Sequence, residues 1–366
     1  MTDLIRPDLA HIPAYVAGKD RPDAIKLSSN EVSFGPLPSV QRAIDAAGRT
    51  ANRYPDIAAW ELREALGRQF GLAGDQVAVG AGSSSLCQQL VQVTCLSRGD
   101  EVIFPWRSFE AYPIFVAVVG ATPRPIPLVE DTQAVDLEGI AAAVTDRTKL
   151  IFVCNPNNPS GTAFDAAAFE QFMARIPVDV LVALDEAYIE FAQVESGVGE
   201  LEKYPNLVVL RTFSKAYGLA GLRLGYMLGP VEIVEAVNKV SIPFVVSSVA
   251  QAAGIASLES QAQVELKERV DAIVAERERV FERLSGAMAP AGGTPTSSAS
   301  ATAAPTSSAS ATAAPAVVAS QANFLWLPGS HLTDLDGVVL RVFDEGTRIT
   351  IGTPEESEAL YRALGI

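Results

Sequence analysis

From about residue 76 to residue 229, short apolar runs alternate with stretches whose apolar residues recur at helical spacing. The runs at 77–79, 101–104, 150–154, 180–184, 207–210 and 222–228 predict strands, most of them bounded by Gly, Pro, Asn or Asp. Helical patterns such as 165–175 lie between them. Strands separated by helices cannot pair as hairpins, so the alternation predicts an α/β fold with a largely parallel sheet covered on both faces.

The pattern then changes. Residues 263–288 read as one amphipathic helix, with Leu266, Val270, Ile273, Val274, Val280, Phe281 and Leu284 on one side and Glu and Arg on the other. It is expected to face the core of a second domain. Residues 292–318 carry the decapeptide TSSASATAAP twice, at 296–305 and 306–315. A small, polar, uncharged tract cannot bury a core and is expected to form a flexible surface excursion. Strands are predicted again at 322–327, 338–343 and 348–351.

Composition narrows the function. The chain has 366 residues, 48% of them hydrophobic, which is ample for a buried core. A net charge of −15 repels phosphate backbones and anionic membranes, so neither nucleic acid nor membrane is an expected partner. No uncharged apolar run approaches the ~20 residues of a membrane span. Asp3, Arg6, Pro7, Asp8 and Pro13 interrupt any export signal, and Cys87, Cys95 and Cys154 sit in apolar segments as reduced core residues would. A cytoplasmic location is expected. With only His11 and His331, a three-histidine zinc site is impossible, no metal is expected, and a Ser-His-Asp triad has no nucleophile elbow to serve. Lysine, tyrosine, arginine or a cofactor must carry the chemistry.

Ligands of open parallel sheets bind beyond the carboxyl ends of the strands. Four polar signatures fall at such ends: 80–85, 155–161, 185–188 and 212–215. The first, GAGSSS, is a strand, a glycine turn and a helix start, either a phosphate site or an ordinary tight turn. NPNNPSG could bind a ligand through its asparagines or simply turn the chain. Asp185 ends an apolar strand, where it needs a partner such as a protonated ring nitrogen, or caps a helix. Lys215 lies just past a strand, with hydroxyls at Thr212 and Ser214 and a guanidinium at Arg223. An amine nucleophile beside groups suited to a phosphate is what an aldehyde-phosphate cofactor requires; the alternative is a surface lysine.

With these residues the chain resembles the fold-type I aminotransferases, in particular the histidinol-phosphate and aromatic amino acid aminotransferase group. The resemblance runs through IRPDLAHIPAYVAGK, LSSNE, RYPD, WRSFEAYP, NPNNPSG, LDEAY, TFSKAYGLAGLR, SQANFLWLP and RITIGTPEE, nearly the whole length. The order and wording of the motifs look nearest to aromatic (phenylalanine) aminotransferases of the actinobacterial type. The resemblance implies pyridoxal 5′-phosphate held by Lys215 as an internal aldimine. It also implies Asp185 on the pyridine nitrogen, Tyr188 and Asn158 on O3′, and Phe109 stacked on the ring. Ser83, Ser84, Thr212, Ser214 and Arg223 would surround the phosphate, with Tyr54 arriving from the neighbouring subunit of a homodimer. Arg348 would grip the substrate carboxylate, Tyr15 and Asn30 would line the substrate side, and Arg341 would add positive charge there. The implied division is an N-terminal arm with part of the small domain at 1–40, a large cofactor domain at 41–245 and a small α+β domain at 246–366. The implied reaction is ping-pong transamination between an aromatic L-amino acid and 2-oxoglutarate; histidinol phosphate is the alternative donor.

The chain also departs from the family's pattern. The segment between Trp326 and Val338 is several residues short, with no room for a helix, and Arg341-Val342-Phe343 lacks the family's usual proline.

Overall fold

Eleven strands form two sheets in the computed structural model, which describes residues 4–15, 21–288, 316–333 and 335–366. The strands are β1 (Ile25–Leu27), β2 (Val77–Ala81), β3 (Glu101–Trp106), β4 (Thr122–Pro127), β5 (Thr148–Cys154), β6 (Leu181–Asp185), β7 (Leu207–Thr212), β8 (Leu224–Leu228), β9 (Phe324–Pro328), β10 (Val338–Phe343) and β11 (Gly346–Thr350). Among them run helices α1 (Pro38–Gly48), α2 (Trp60–Phe70), α3 (Gly82–Thr94), α4 (Ala111–Val119), α5 (Leu137–Ala142), α6 (Ala166–Met173), α7 (Val231–Lys239), α8 (Ser248–Ser257), α9 (Ser260–Met288) and α10 (Pro354–Leu364).

The large sheet has the order β2-β8-β7-β6-β5-β3-β4. All its pairings are parallel except those of β8, which runs against both β2 and β7. The largely parallel sheet expected from the sequence is therefore present. Its central strands are apolar throughout because both faces are covered. Ile151, Val153, Val182, Leu184, Leu207 and Val209 point into a core with α2, α6, α8 and α9. Leu150, Phe152, Leu181, Ala183, Val208 and Leu210 point into the opposite core with α3, α4 and α7.

The small sheet has the order β1-β10-β11-β9. β1 lies parallel to β10, bringing the N-terminal segment to a sheet otherwise made near the C-terminus. The long amphipathic helix is α9, which begins three residues before the expected start; Leu266, Ile273, Val280 and Leu284 are buried, and Val270, Val274 and Phe281 pack against the same core.

Several expectations need correction. β4 was invisible in the pattern because its sequence is TPRPIP. As the edge strand it pairs only with β3, so prolines that would break a central ladder are tolerated. The strand expected at 222–228 starts at Leu224, since 220–222 form a 3-10 turn and Arg223 is left-handed at φ 52°. The repeats at 296–305 and 306–315 lie outside the described residues. The low-complexity boundary at 318 is too late, for Val317 and Val318 are buried and Val318 bridges to Trp326. Between β9 and β10 no helix occurs among the described residues; Leu332 and Leu335 pack against the core directly.

Candidate active site

Because β3, β5, β6 and β7 are parallel, their carboxyl ends meet along one edge of the large sheet. β2 points the same way, so α3 starts at that edge. β8 runs oppositely, so its first residue follows Arg223 there, and Gly82 N donates to Arg223 O at 3.0 Å. A cavity of about 650 Å³ opens over this edge, closed on the far side by the small sheet.

One end of the cavity collects an acid, an amine and an anion cradle. Asp185 is buried; Tyr112 Oη donates to its Oδ2 at 2.7 Å and Ala187 N to its Oδ1 at 3.2 Å. Burial is the main influence on its carboxyl, whose pKa is raised to about 6 although the Tyr112 bond opposes the rise. Lys215 Nζ donates to Ser29 O at 3.1 Å and lies 5.8 Å from the Tyr188 ring centre. Burial first, then the charge of Arg348, pulls its amine down to about 7. Arg223 Nη1 donates to Ala220 O at 2.9 Å and reaches Ser214 Oγ at 3.4 Å, while Thr212 Oγ1 accepts from Ser214 N. Gly82 sits at φ 72°, and a Cβ there would collide with the Arg223 guanidinium; one on Gly225 would strike Ser83 N. Glycine at both places lets Arg223 approach the first turn of α3, beside the Ser83 and Ser84 hydroxyls.

The other end is built by β11 and the turn after β1. Arg348 is buried, donating from Nη1 to Asn158 Oδ1 and from Nη2 to Ser28 O, each at 2.6 Å. Its Nε is buried without a hydrogen-bond partner. Asn30 is left-handed at φ 55° and donates from Nδ2 to Tyr188 Oη at 3.0 Å; Thr350 holds it from the other side. Desolvation drives the Tyr188 phenol well above its usual pKa, so it stays protonated. Arg341 is directly opposite Arg348 across β10 and β11, and its Nη2 meets Glu110 Oε2 at 2.7 Å.

Of the residues singled out in the sequence, Lys215, Asp185, Tyr188, Asn158, Phe109, Ser83, Ser84, Thr212, Ser214, Arg223, Arg348, Arg341, Tyr15 and Asn30 all line this one cavity. Tyr54 does not; it is 82% exposed and stacks on Phe244 at 4.6 Å. Sequence reasoning missed Tyr112 and Glu110, although both sit in the WRSFEAYP motif. It also missed Ser28 and Ser29, whose contributions are backbone carbonyls and leave no side-chain signal.

The donor set fits pyridoxal phosphate. A desolvated carboxylate gains from a cationic ring nitrogen, a lowered amine is nucleophilic toward an aldehyde, and Arg223 beside the first turn of α3 suits a phosphate. Comparison with known proteins agrees. Residues 22–364 match the family described as aminotransferase class I and II. The aromatic amino acid aminotransferase of Corynebacterium efficiens is 53% identical over 369 residues, covering 98% of each chain. That of Mycobacterium bovis is 48% identical, covering 99% of this chain and 98% of its own. Among solved structures, the histidinol-phosphate aminotransferase from Sinorhizobium meliloti in complex with pyridoxal-5′-phosphate has a TM-score of 0.83 at 28% identity, covering 100% of this chain and 97% of that one. The chain belongs to the class I and II aminotransferase family and is a pyridoxal-phosphate-dependent aminotransferase.

Proposed function

We propose that this enzyme moves the amino group of an aromatic L-amino acid to 2-oxoglutarate in a ping-pong cycle. The observation that carries the reading is one cavity with Lys215 and Asp185 at one end and Arg348 at the other. The aromatic donor is supported by the relatives at about half identity and by a cavity wall containing Tyr15, Phe109, Ile114 and Phe115. These side chains offer a neutral ring apolar and aromatic surface.

When bound, pyridoxal phosphate supplies the electron sink that weakens the Cα–H bond of the substrate. Asp185 would hold the ring nitrogen, with Tyr112 fixing the carboxylate. Arg223, Ser83, Ser84, Thr212 and Ser214 would hold the phosphate; Tyr188 and the Asn158 amide would serve O3′, and Phe109 the ring face. Lys215 Nζ would anchor the cofactor and, once the substrate amine has displaced it, would take the Cα proton as base and deliver it to the cofactor rather than back to Cα. Arg348 would take the substrate carboxylate; its Nε is the buried donor still to be satisfied, and Asn158 and Ser28 already set the plane of its fork.

The active unit in this reading is a homodimer. Tyr54, Ile57, Trp60, Ile242 and Phe244 are exposed apolar residues. Segments 54–60 and 242–244 are tied by the Tyr54–Phe244 stack. Such a surface suits a second copy, which would carry Tyr54 toward the partner's phosphate site. The rival donor, histidinol phosphate, draws support from the paired arginines Arg341 and Arg348. Parallel kinetics with phenylalanine and histidinol phosphate against 2-oxoglutarate test the reading: faster turnover of phenylalanine supports it, and a dominant rate on histidinol phosphate replaces it.

A further inference from the structure

Glu110 is a carboxylate inside a cavity that must receive anions. It occupies the N-cap position of α4, immediately after the predicted ring-stacking residue Phe109, and it lines the cavity beside Tyr15 and Ile114. Its Oε2 accepts from Arg341 Nη2 at 2.7 Å. Its Oε1 lies 4.0 Å from Arg107 Nη1, but that guanidinium is committed elsewhere, gripping Glu345 with Nε and Nη2 at 2.9 and 2.7 Å. The register of β10 and β11 sets Arg341 and Arg348 opposite each other, two like charges on neighbouring strands facing one cavity. Side by side, two guanidinium groups would suit a phosphate ester or a dicarboxylate. Glu110 counters that field from within: burial chiefly, and Arg341 also, lower the pKa of the Arg348 guanidinium, while Tyr188, Tyr15 and, least of the three, Glu110 raise it.

We propose that Glu110 is a specificity-determining residue, a built-in counter-ion for Arg341. It favours amino donors with one carboxylate and an uncharged side chain over donors that bring a second negative charge. The inference rests on the transamination reading above. An aromatic donor can lay its carboxylate on Arg348 and leave the Glu110–Arg341 pair intact. A phosphate ester must displace the Glu110 carboxylate from Arg341 or lie against it, and either course costs binding. The same competition falls on the distal carboxylate of 2-oxoglutarate, where it appears as a raised KM for the acceptor.

The test compares holoenzymes: wild type, Glu110→Gln, Arg341→Gln and the double variant. Donors are phenylalanine and histidinol phosphate, and inorganic phosphate serves as a competitive probe. Glu110→Gln is expected to raise the ratio of kcat/KM for histidinol phosphate over phenylalanine by about tenfold or more, chiefly through KM. It should also lower the KM for 2-oxoglutarate and tighten phosphate inhibition by about tenfold. Arg341→Gln should move the ratio the other way. The double variant, uncharged at both places, should return toward the wild-type ratio, a rescue that a merely structural role would not produce. An unchanged ratio and unchanged phosphate inhibition in Glu110→Gln, with the double variant no different, overturn the inference while leaving the aromatic reading intact. A wild type that already prefers histidinol phosphate overturns both.

Discussion

The two ends of the cavity are made differently. The end proposed for the cofactor is local: Asp185, Asn158, Lys215, Arg223 and Ser83 each lie within a few residues of a strand terminus in one sheet. Its central pair, Asp185 and Lys215, is pushed by burial toward neutrality from opposite sides, to about 6 and about 7. The end proposed for the substrate is assembled at long range. Tyr15, the 28–30 turn, Glu110 and the Arg341–Arg348 pair come from four separated segments and both sheets. Its charges are held by partners, Arg348 by Asn158 and the Ser28 carbonyl and Arg341 by Glu110. One end stores reactivity as desolvated groups that can change protonation. The other holds fixed charges already compensated, and in the proposed reading its selectivity depends on what a substrate must displace.

That contrast can be broken from either side. The largest effect is expected at the cofactor end: Lys215→Ala should lower kcat by about a thousandfold or more and abolish borohydride labelling at residue 215, measured by turnover and peptide mapping. Retained turnover would dissolve the assignment of that end. Next comes Arg348→Gln, which should cut kcat/KM for phenylalanine by about a hundredfold because a buried two-pronged donor is lost. Little change would mean that the carboxylate is gripped elsewhere.

A third measurement sharpens the protonation argument. In cofactor-free protein the Lys215 amine is neutral, and so nucleophilic, above its lowered pKa of about 7. The rate of reconstitution with pyridoxal phosphate should therefore rise about tenfold per pH unit up to about 7 and then level. A rate still climbing toward the ordinary lysine range near ~10.4 would show that the amine is not desolvated. The smallest effect is expected for Tyr112→Phe. Its hydroxyl lowers the Asp185 pKa, so its removal should push that group further up, reduce kcat about tenfold and move the acidic limb of the rate profile to higher pH. An unmoved limb would show that Tyr112 merely packs, as its 4.6 Å stack on Phe152 already lets it do.

Legibility in the sequence followed the same division. The central strands announced themselves because burial on both faces demands unbroken apolar runs, as in LVALD and LVVL. The edge strand TPRPIP stayed hidden because its partner on one side alone decides whether its prolines are tolerated. Within the site, Lys215 and Asp185 could be picked out because polar groups directly after apolar strands are conspicuous and motif wording accompanies them. Glu110 and Tyr112 were in plain view in WRSFEAYP, but nothing local says that one faces Arg341, 231 residues away, or that the other faces Asp185.

By itself, then, the order of residues determined the α/β alternation and singled out side chains that line one cavity, because these depend on periodicity and on residues near one another in the chain. Tertiary structure alone decided which charges compensate which. Only the parallel pairing of β1 with β10, the β10–β11 register and the reversed run of β8 bring Ser28, Arg348, Arg341 and Arg223 to the site. Electrostatic balance depends on distance in space, and no spacing along the chain encodes it.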